Sequence, residues 1–190
     1  MTIAIIKYNA GNTASVTNAL LRLGITPQIT DDPAEIRAAS HVIFPGVGHA
    51  LPAMAYLRER GLDQVIRSLT QPFLGICLGL QLLCEASEEG ETACVGIFKS
   101  RVRRFPPGQK VPHMGWNTVP LAGTGLGEGT PRFYFLHAYR ADVGADTVAE
   151  CDYGGAFSAV MRKGNFLAAQ FHPEKSGKAG AALLRRFVTS

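Results

Sequence analysis

Short apolar runs alternate with amphipathic stretches along the first half of the chain. The apolar runs are residues 3–6, 41–44 and 73–76. Such runs are typical of strands that are buried on both faces. Between them, residues 13–23, 52–60 and 62–69 carry apolar side chains at helical spacing, and Gly24 is suited to end the first helix. Strands that alternate with helices in this way predict a parallel sheet with right-handed crossovers.

The connections in this half are also informative. Residues 26–30 predict a short strand, and Asp31-Asp32-Pro33 predicts a turn. The run at 73–76 leads directly into Cys77, and the helix that follows is expected to continue to Ala86. The first half is therefore expected to consist of strand–helix units, in which the strand ends share one edge of the sheet.

After Gly96 the pattern changes to strands separated by Gly, Pro and Asp turns. The predicted strands are residues 95–105, 116–121, 133–143, 147–153, 157–162 and 166–171. Residues 163–165 predict a tight hairpin turn, and residues 176–188 predict a closing helix with Ser176 as its N-cap. The expected fold class is one α/β domain over residues 1–190. Its sheet is mixed and mostly parallel, flanked by helices, with an antiparallel extension.

Composition narrows the functional classes. The chain has 190 residues, of which 46% are hydrophobic and 18% charged. This length fits one domain of about 100–200 residues, and the apolar content excludes a disordered chain. No apolar run reaches the roughly 18 residues that a membrane helix needs, so no membrane association is expected. The N-terminal apolar stretch has no basic region before it, and it predicts a first strand rather than a signal peptide.

Charge and cysteine content add two expectations. The 19 basic and 15 acidic residues leave a net charge of +4. The basic residues are scattered, without the clustering and aromatic content that nucleic-acid binding favours. The four cysteines form no Cys-x-x-Cys pair and no regular framework. This pattern favours free thiols in a reducing, cytoplasmic environment.

The segment Gly75-Ile76-Cys77-Leu78-Gly79 is the most informative in the chain. It has the form Gly-x-nucleophile-x-Gly between an apolar strand and a helix, which is the context of a nucleophile elbow. A sulfur at a helix N-terminus is favoured as thiolate. A buried core cysteine between loop glycines is the alternative, and for an isolated cysteine it would be preferred. The strand and helix on either side favour the nucleophile, whereas Cys84 is expected to belong to the core.

A thiolate nucleophile needs a base and a group that orients the base. His172 and Glu174 lie in Gln-Phe-His-Pro-Glu, directly after the last predicted strand. A carboxylate two residues from the imidazole can fix its tautomer and stabilise its charged form. The alternative is a surface histidine beside a surface glutamate. The shared position at strand ends favours a functional pair, whereas His137, within an apolar strand, is expected to be a hydrogen-bonded packing residue.

Acyl transfer also requires donors for an oxyanion. Gly46, Val47 and Gly48 follow the third predicted strand, and the glycines allow the backbone to approach a ligand closely. The N–H of Leu78, directly after the nucleophile, is the other natural donor. Alone, the Pro-Gly-Val-Gly sequence is equally consistent with a simple turn.

Together these residues resemble the class I glutamine amidotransferases. Further segments resemble one branch of that family, the glutaminase subunits of imidazole glycerol phosphate synthase. These segments are residues 8–12, 15–20, 45–48, 75–83, 112–117 and 170–176. The resemblance extends from residue 1 to about residue 188. His-Met-Gly-Trp-Asn at 113–117 is particular to the branch, whereas the elbow is shared by the whole class.

The resemblance implies specific roles. Cys77 would attack the glutamine amide to form a thioester and release ammonia, with His172 as base and acid and Glu174 as its orienter. Gln81 matches a glutamine-contacting position, and Val47 and Leu78 match the oxyanion donors. The positions that match those facing a partner are Gly11, Asn12, Trp116, Tyr134 and Lys175. Where relatives often carry Ser or Thr this chain has Ala138, so a side-chain hydroxyl contact to substrate is absent there.

The implied partner is a (βα)8-barrel cyclase subunit, in a heterodimer to which this chain supplies ammonia for histidine biosynthesis. No cofactor and no metal are implied. Two alternatives stay open: the glutaminase subunit of another class I amidotransferase or a cysteine hydrolase acting alone, and a non-catalytic regulatory subunit. Residues 113–117 argue against the first alternative. The complete Cys, His and Glu set argues against the second.

Overall fold

The computed structural model describes all residues, 1–190. The first half of the chain contains β1 (Ile3–Ile6), α1 (Thr13–Leu21), β2 (Gln28–Thr30), α2 (Pro33–Ala38), β3 (His41–Gly46), α3 (Ala50–Glu59), α4 (Leu62–Ser68), β4 (Phe73–Cys77) and α5 (Leu78–Leu83). The second half contains β5 (Ala86–Ser87), β6 (Thr92–Ala93), β7 (Arg101–Arg104), β8 (His113–Thr118), β9 (Arg132–His137), β10 (Tyr139–Ala141), β11 (Thr147–Asp152), β12 (Ala156–Lys163), β13 (Phe166–Ala169), a 3-10 turn (Pro173–Lys175) and α6 (Gly177–Val188).

The central sheet has seven strands in the order β11-β12-β13-β4-β3-β1-β2. The pairs from β13 to β2 are all parallel, whereas β12 pairs antiparallel with both β13 and β11. This is the expected mixed, mostly parallel sheet with an antiparallel extension. A four-stranded sheet (β10-β7-β5-β6) and a two-stranded ribbon (β8-β9) complete the fold.

The core lies on both faces of the central sheet. Alternate residues of a strand point to opposite faces, so in β1 the side chains of Ala4 and Ile6 join one apolar cluster while Ile3 and Ile5 join the other. Two buried faces explain why the strand is apolar at every position rather than at every second one. In this structure no helix combines the length and apolar character needed to cross a membrane.

The structure corrects several local predictions: the strand predicted at 95–105 is limited to β7, the one predicted at 133–143 is divided into β9 and β10, and three further differences have a local cause. The predicted turn at Asp31-Asp32-Pro33 starts helix α2, because Asp32 Oδ1 accepts a hydrogen bond from the N–H of Ala34 at 2.7 Å and proline suits the first helical position. Helix α5 ends at Leu83 rather than Ala86, since Cys84 is already extended. Ser176 precedes α6 without capping it, because its hydroxyl is used by neighbouring backbone groups.

Candidate active site

The elbow between β4 and α5 holds Cys77 in a strained conformation. Cys77 has φ 54° and ψ −106°, a region that residues other than glycine occupy at a cost of about 1–3 kcal/mol. The glycines on either side permit close packing: a Cβ at Gly79 would overlap the carbonyl oxygen of Phe44, and one at Gly75 would come within 3.1 Å of Ala168 Cβ. The sharp turn places the sulfur at the carboxyl end of the sheet and at the start of α5.

The end of the neighbouring strand β3 forms one side of the site. Gly46 pairs with Cys77 in the parallel ladder, so Val47 and Gly48 extend past the sheet edge beside the sulfur. A cavity of about 260 Å³ opens at this point. It is lined by Val47, Gly48, Cys77, Leu78, Gln81, Glu89, Pro112, Leu136, His137, Ala138 and Tyr139. The predicted nucleophile therefore shares a cavity with the predicted oxyanion loop and with the predicted substrate-contacting glutamine.

His172 and Glu174 form a buried pair next to this cavity. His172 Nδ1 lies 2.8 Å from Glu174 Oε1, and each side chain is only 1% exposed. Because the carboxylate accepts the hydrogen on Nδ1, the other nitrogen, Nε2, is left as the basic atom of the neutral ring. Nε2 is buried and has no hydrogen-bond partner. It is free to take up a proton.

The surroundings of His172 favour its charged form. Burial is the largest single influence and lowers the pKa of His172, but the charge and hydrogen bond of Cys77, together with those of Glu174, raise that pKa to about 10. An opposite charge within a few ångströms is the usual cause of such a shift. The arrangement therefore stabilises the imidazolium that forms when the His172 ring takes up a proton.

Hydrogen bonds from the backbone and from two side chains hold the segment of His172 and Glu174 against strand β9 and the start of α1. The N–H of His172 donates to the carbonyl of Tyr134 at 2.9 Å. The hydroxyl of Ser176 donates to the carbonyl of His172 at 2.6 Å and accepts from the N–H of Tyr134 at 3.0 Å. Asn12 Nδ2 lies 3.4 Å from Glu174 Oε1. Two residues predicted to face a partner, Tyr134 and Asn12, thus contact the histidine–glutamate segment directly.

The remaining residues predicted to face a partner lie at or near the surface. Trp116 is 48% exposed, and it stands opposite Tyr134 in the β8–β9 ladder with the two ring centroids 6.1 Å apart. Lys175 is exposed directly after Glu174, and Gly11 is half-buried between β1 and α1. Met114, which was not predicted, is 60% exposed on β8. Several of the predicted partner positions therefore lie beside the His172 segment, on a face that also carries exposed apolar side chains.

The sequence analysis missed the one acidic residue of the cavity, Glu89. Its Oε2 accepts a hydrogen bond from the N–H of Ala50 at the start of α3, at 2.8 Å, and Oε1 makes no hydrogen bond within the chain. Glu89 lies in a loop after β5 and belongs to no motif. Only the folded position of that loop brings its carboxylate to the cavity.

The other three cysteines belong to the core. Cys84, Cys94 and Cys151 are buried and free. Burial raises the pKa of Cys84 well above its usual value and raises those of Cys94 and Cys151 to about 12. A thiol that resists ionisation is a poor nucleophile. No cluster of three or more His, Cys, Asp or Glu side chains is placed to hold a metal ion.

Comparison with known proteins identifies the family. Residues 4–190 match the family model "Glutamine amidotransferase class-I". The chain is 51% identical over 194 residues to the imidazole glycerol phosphate synthase subunit HisH of Bacteroides fragilis (strain YCH46), covering 99% of each chain. It is 47% identical to the same subunit of Xanthomonas axonopodis pv. citri, covering 98% of this chain and 96% of that one.

A solved structure supports the fold independently. A crystal structure described as a glutamine amidotransferase superposes with a TM-score of 0.79 at 21% identity, covering all of this chain and 98% of the other. At this level of identity the likeness concerns the fold alone. The mixed sheet flanked by helices is therefore the architecture of that class of proteins.

Proposed function

The chain belongs to the class-I glutamine amidotransferase family, and we propose that it acts as the glutaminase subunit of imidazole glycerol phosphate synthase. It hydrolyses glutamine to glutamate and ammonia, and a cyclase subunit uses the ammonia to make imidazole glycerol phosphate and aminoimidazole carboxamide ribotide in histidine biosynthesis. The observation that carries the chemistry is the strained elbow of Cys77 beside the buried His172–Glu174 pair. Full-length similarity to HisH subunits supports the biosynthetic role.

The reaction follows from the site in two halves. The thiol proton of Cys77 moves to His172 Nε2, and the thiolate attacks the side-chain amide carbon of glutamine. The tetrahedral intermediate collapses as the imidazolium returns its proton to the nitrogen, which leaves as ammonia. A water molecule then gives a proton to His172 and attacks the thioester, releasing glutamate and restoring the thiol. Glu174 holds the ring and stabilises its charged form throughout.

Two backbone donors are proposed for the oxyanion of these intermediates. The N–H of Leu78 lies at the start of α5, directly after the nucleophile, and Val47 lies on the loop across the cavity. Gly48 has φ 125°, so the Val47 loop ends in a conformation that glycine adopts readily. Because glycines flank Val47, its peptide can rotate, and we expect partner binding to set the direction of its N–H.

Polar groups of the cavity fit the rest of the glutamine molecule. Gln81 Nε2 donates to the carbonyl of Tyr139 and to Gln170, so both of its amide hydrogens are used and only its oxygen is left to accept from a ligand. Glu89 offers a carboxylate oxygen without a partner in the chain. These acceptors suit the amide or ammonium hydrogens of glutamine.

The partner is a cyclase subunit, and we propose that it is a (βα)8 barrel that binds in a heterodimer to the face formed by Gly11, Asn12, Trp116, Tyr134 and Lys175. Exposed Trp116 and Met114 support this assignment, since large aromatic and Met side chains are favoured in interfaces. The bonds from Tyr134 and Asn12 to the His172 segment give the partner a route to the catalytic residues. Four free cysteines support a reducing, cytoplasmic location.

The deciding measurement is glutamate release with and without purified cyclase subunit and its ligand. We expect slow release from the free chain and an increase of about 10²–10³-fold in the complex, the usual effect of one oxyanion donor. Equal turnover in both states would contradict the partner-dependent oxyanion site. No release in either state would contradict the glutaminase assignment itself.

A second experiment separates the two activities. The complex with Cys77→Ala is expected to make imidazole glycerol phosphate from ammonium salts but not from glutamine, because free ammonia replaces the missing product of this chain. Product formation from ammonium salts is expected to be fastest at high pH, where a larger fraction of the ammonium is present as free ammonia. Failure with both nitrogen sources in an assembled complex would mean that this chain takes part in the cyclisation itself.

A further inference from the structure

A chain of buried hydrogen bonds runs from the Tyr139 carbonyl through Gln81 and Gln170 to the sulfur of Cys77. Gln170 is completely buried, and its Nε2 lies 3.6 Å from Cys77 Sγ. Its Oε1 lies 3.0 Å from Gln81 Nε2, which in turn lies 2.8 Å from the carbonyl oxygen of Tyr139. The reaction described above uses Gln81 and Cys77 but gives Gln170 no part.

The direction of these bonds follows from one fixed group. The O and N of a side-chain amide can be exchanged by a flip, so a network must decide between them. The Tyr139 carbonyl can only accept, and therefore the Gln81 atom facing it is the NH2 group. The same NH2 group faces Gln170, which must present its oxygen there. Its own NH2 group then points to Cys77, and Gln170 is a donor to the sulfur.

The sheet holds Gln170 in this place. Gln170 directly follows β13, whose last residue Ala169 pairs with Ile76 in β4, so Gln170 and Cys77 are neighbours on adjacent strands. The N–H of Gln170 also donates to the carbonyl of Ala159 in β12 at 2.9 Å. A fully buried amide is costly unless its polar atoms are bonded. Here the sulfur is one of those partners.

Other donors near the sulfur are already engaged. The hydroxyl of Tyr8 donates to the carbonyl of Pro45 at 2.7 Å. His137, which lines the cavity, uses one nitrogen on the Tyr139 carbonyl and the other on His113. The remaining titratable groups around Cys77 are His172 with Glu174 behind it, and Glu89 across the cavity. Among the side chains, Gln170 is therefore the neutral donor that the fold supplies to the sulfur.

We propose that Gln170 is a positioning residue for the nucleophile, whose amide donates a hydrogen bond to Cys77 Sγ and stabilises the thiolate when the proton moves to His172. The neutral thiol donates to the carbonyl of Leu136 at 3.7 Å. After deprotonation that carbonyl has no hydrogen to accept, whereas the bond from Gln170 strengthens because its acceptor is charged. The inference rests on the proposed function, since it requires Cys77 to be the nucleophile.

The test compares two variants of near-identical shape in the complex with the cyclase. Gln170→Met keeps the volume but removes the donor, and Gln170→Glu replaces the donor by an acceptor that also carries charge. We measure kcat and KM for glutamine, the iodoacetamide alkylation rate of Cys77 against pH, and the thermal midpoint. Gln71→Met is the matched control, because Gln71 also donates to a backbone carbonyl, that of Ile36, but precedes the opposite end of β4.

For Gln170→Met we expect kcat to fall about tenfold with KM within about twofold, and the alkylation profile to move up by about one pH unit. For Gln170→Glu we expect a larger change in the same direction. The Gln71→Met control is expected to match wild type. A packing role alone would leave the alkylation profile of Gln170→Met unchanged, and that result overturns the inference. If Gln170→Met does not fold, a wild-type profile in Gln170→Glu overturns it equally.

The outcomes also distinguish this inference from the proposed function. If wild-type complex releases no glutamate and Cys77 does not react, the glutaminase assignment fails and this inference fails with it. If wild type is active and both Gln170 variants keep its kcat and alkylation profile, only the role of Gln170 is wrong.

Discussion

Two buried histidine sites lie at or beside the cavity, and their acid–base behaviour is opposite. At one site burial lowers the pKa of His172, but Cys77 and Glu174 more than offset that lowering and raise the pKa to about 10. At the other, burial lowers the pKa of His113 to about 4 and that of His137 to about 3. Burial is common to all three imidazoles. The difference comes from the neighbours: the first site has a carboxylate and a thiol, whereas the second has no acidic side chain and the positive charges of His113, His172 and Arg140 lower the pKa of His137 further.

The second site is a neutral packing pair. His137 Nδ1 lies 2.8 Å from the Tyr139 carbonyl, which can only accept, so that nitrogen carries the hydrogen. His137 Nε2 then accepts from His113 Nδ1 at 3.1 Å. The His113 ring stacks on Tyr153 and Phe135, with centroids 4.0 and 4.8 Å away. The hydrogen bonds use both nitrogens of His137 and one of His113 in their neutral forms. Because the pKa values of both rings are lowered, neither histidine is suited to accept a proton near neutral pH.

Burial makes a histidine useful for catalysis only when an opposite charge lies beside it. Removing a charge from water is costly unless an opposite charge compensates. In Gln-Phe-His-Pro-Glu the compensating carboxylate of Glu174 lies two residues after His172. The short turn between them brings the carboxylate to the imidazole, so the hydrogen-bonded pair depends on local structure alone. His113 and His137 lie on neighbouring strands, and the charged groups that act on His137 are all basic. Proximity to the cavity is therefore a weaker indicator of catalysis than the presence of a charged partner.

The most damaging change to the first site is the loss of the sulfur. In Cys77→Ser we expect glutamate release to fall by at least about 10³-fold, because a hydroxyl is a far weaker nucleophile than a thiolate. The pKa of His172 is also expected to fall, since Cys77 is the neighbour that raises it most. Glutamate release and NMR titration of the ring measure the two effects.

Cys84→Ser is the control for this change, because Cys84 is fully buried and lies outside the cavity. It is expected to keep its activity. Residual activity above about a tenth of wild type in Cys77→Ser would contradict the assignment of the nucleophile.

The next largest effect is expected from removing the carboxylate charge. Glu174→Gln keeps the size of the side chain but replaces the ion by a neutral amide. The pKa of His172 should move toward the low values of the other site, and kcat should fall about 10²-fold, the lower range of what a positioned acid–base group contributes. Glu150→Gln, on the exposed side of β11, is the matched control. Unchanged kcat in Glu174→Gln would show that the carboxylate does not support the base.

Local sequence signals predicted much of the first site. The glycines around Cys77 are required by the close approach of Phe44 and Ala168, and a Gly-x-Cys-x-Gly sequence between a strand and a helix carries that requirement in five residues. Glu174 is likewise adjacent to His172 in the chain. Such features depend on short-range geometry, and they can be recognised before the fold is known.

Other features depend on long-range packing and could not be predicted. Gln170 faces the sulfur only because β13 pairs with β4 in one register, and Glu89 reaches the cavity only through the position of its loop. The expectation that Asp31-Asp32-Pro33 is a turn failed for a different reason. An N-cap aspartate followed by proline is also a helix start, and the packing of Ile36 in the core decides for the helix.

The smallest effect is expected at the second site, and it concerns stability rather than activity. Unfolded, His113 and His137 titrate near pH 6.5, whereas in the native protein their pKa values are about 4 and about 3. Between these values the unfolded chain binds protons that the native state excludes, so stability falls as the pH drops below 6.5. Each pH unit costs up to about 1.4 kcal/mol per histidine. His172 has the opposite shift; its contribution is complete below pH 6.5 and is lost only as the pH rises toward 10.

His113→Phe tests this difference, because a phenyl ring can keep the stacks on Tyr153 and Phe135 while removing one titrating group. The variant is expected to be less stable than wild type at pH 7.5, since His137 Nε2 loses its donor. Between pH 7.5 and 5.0, however, it should lose less stability than wild type, because fewer protons are taken up on unfolding. Urea unfolding at both pH values measures the two losses. Equal losses in variant and wild type would mean that His113 is not held neutral by its burial, and the contrast between the two histidine sites would then rest on His137 alone.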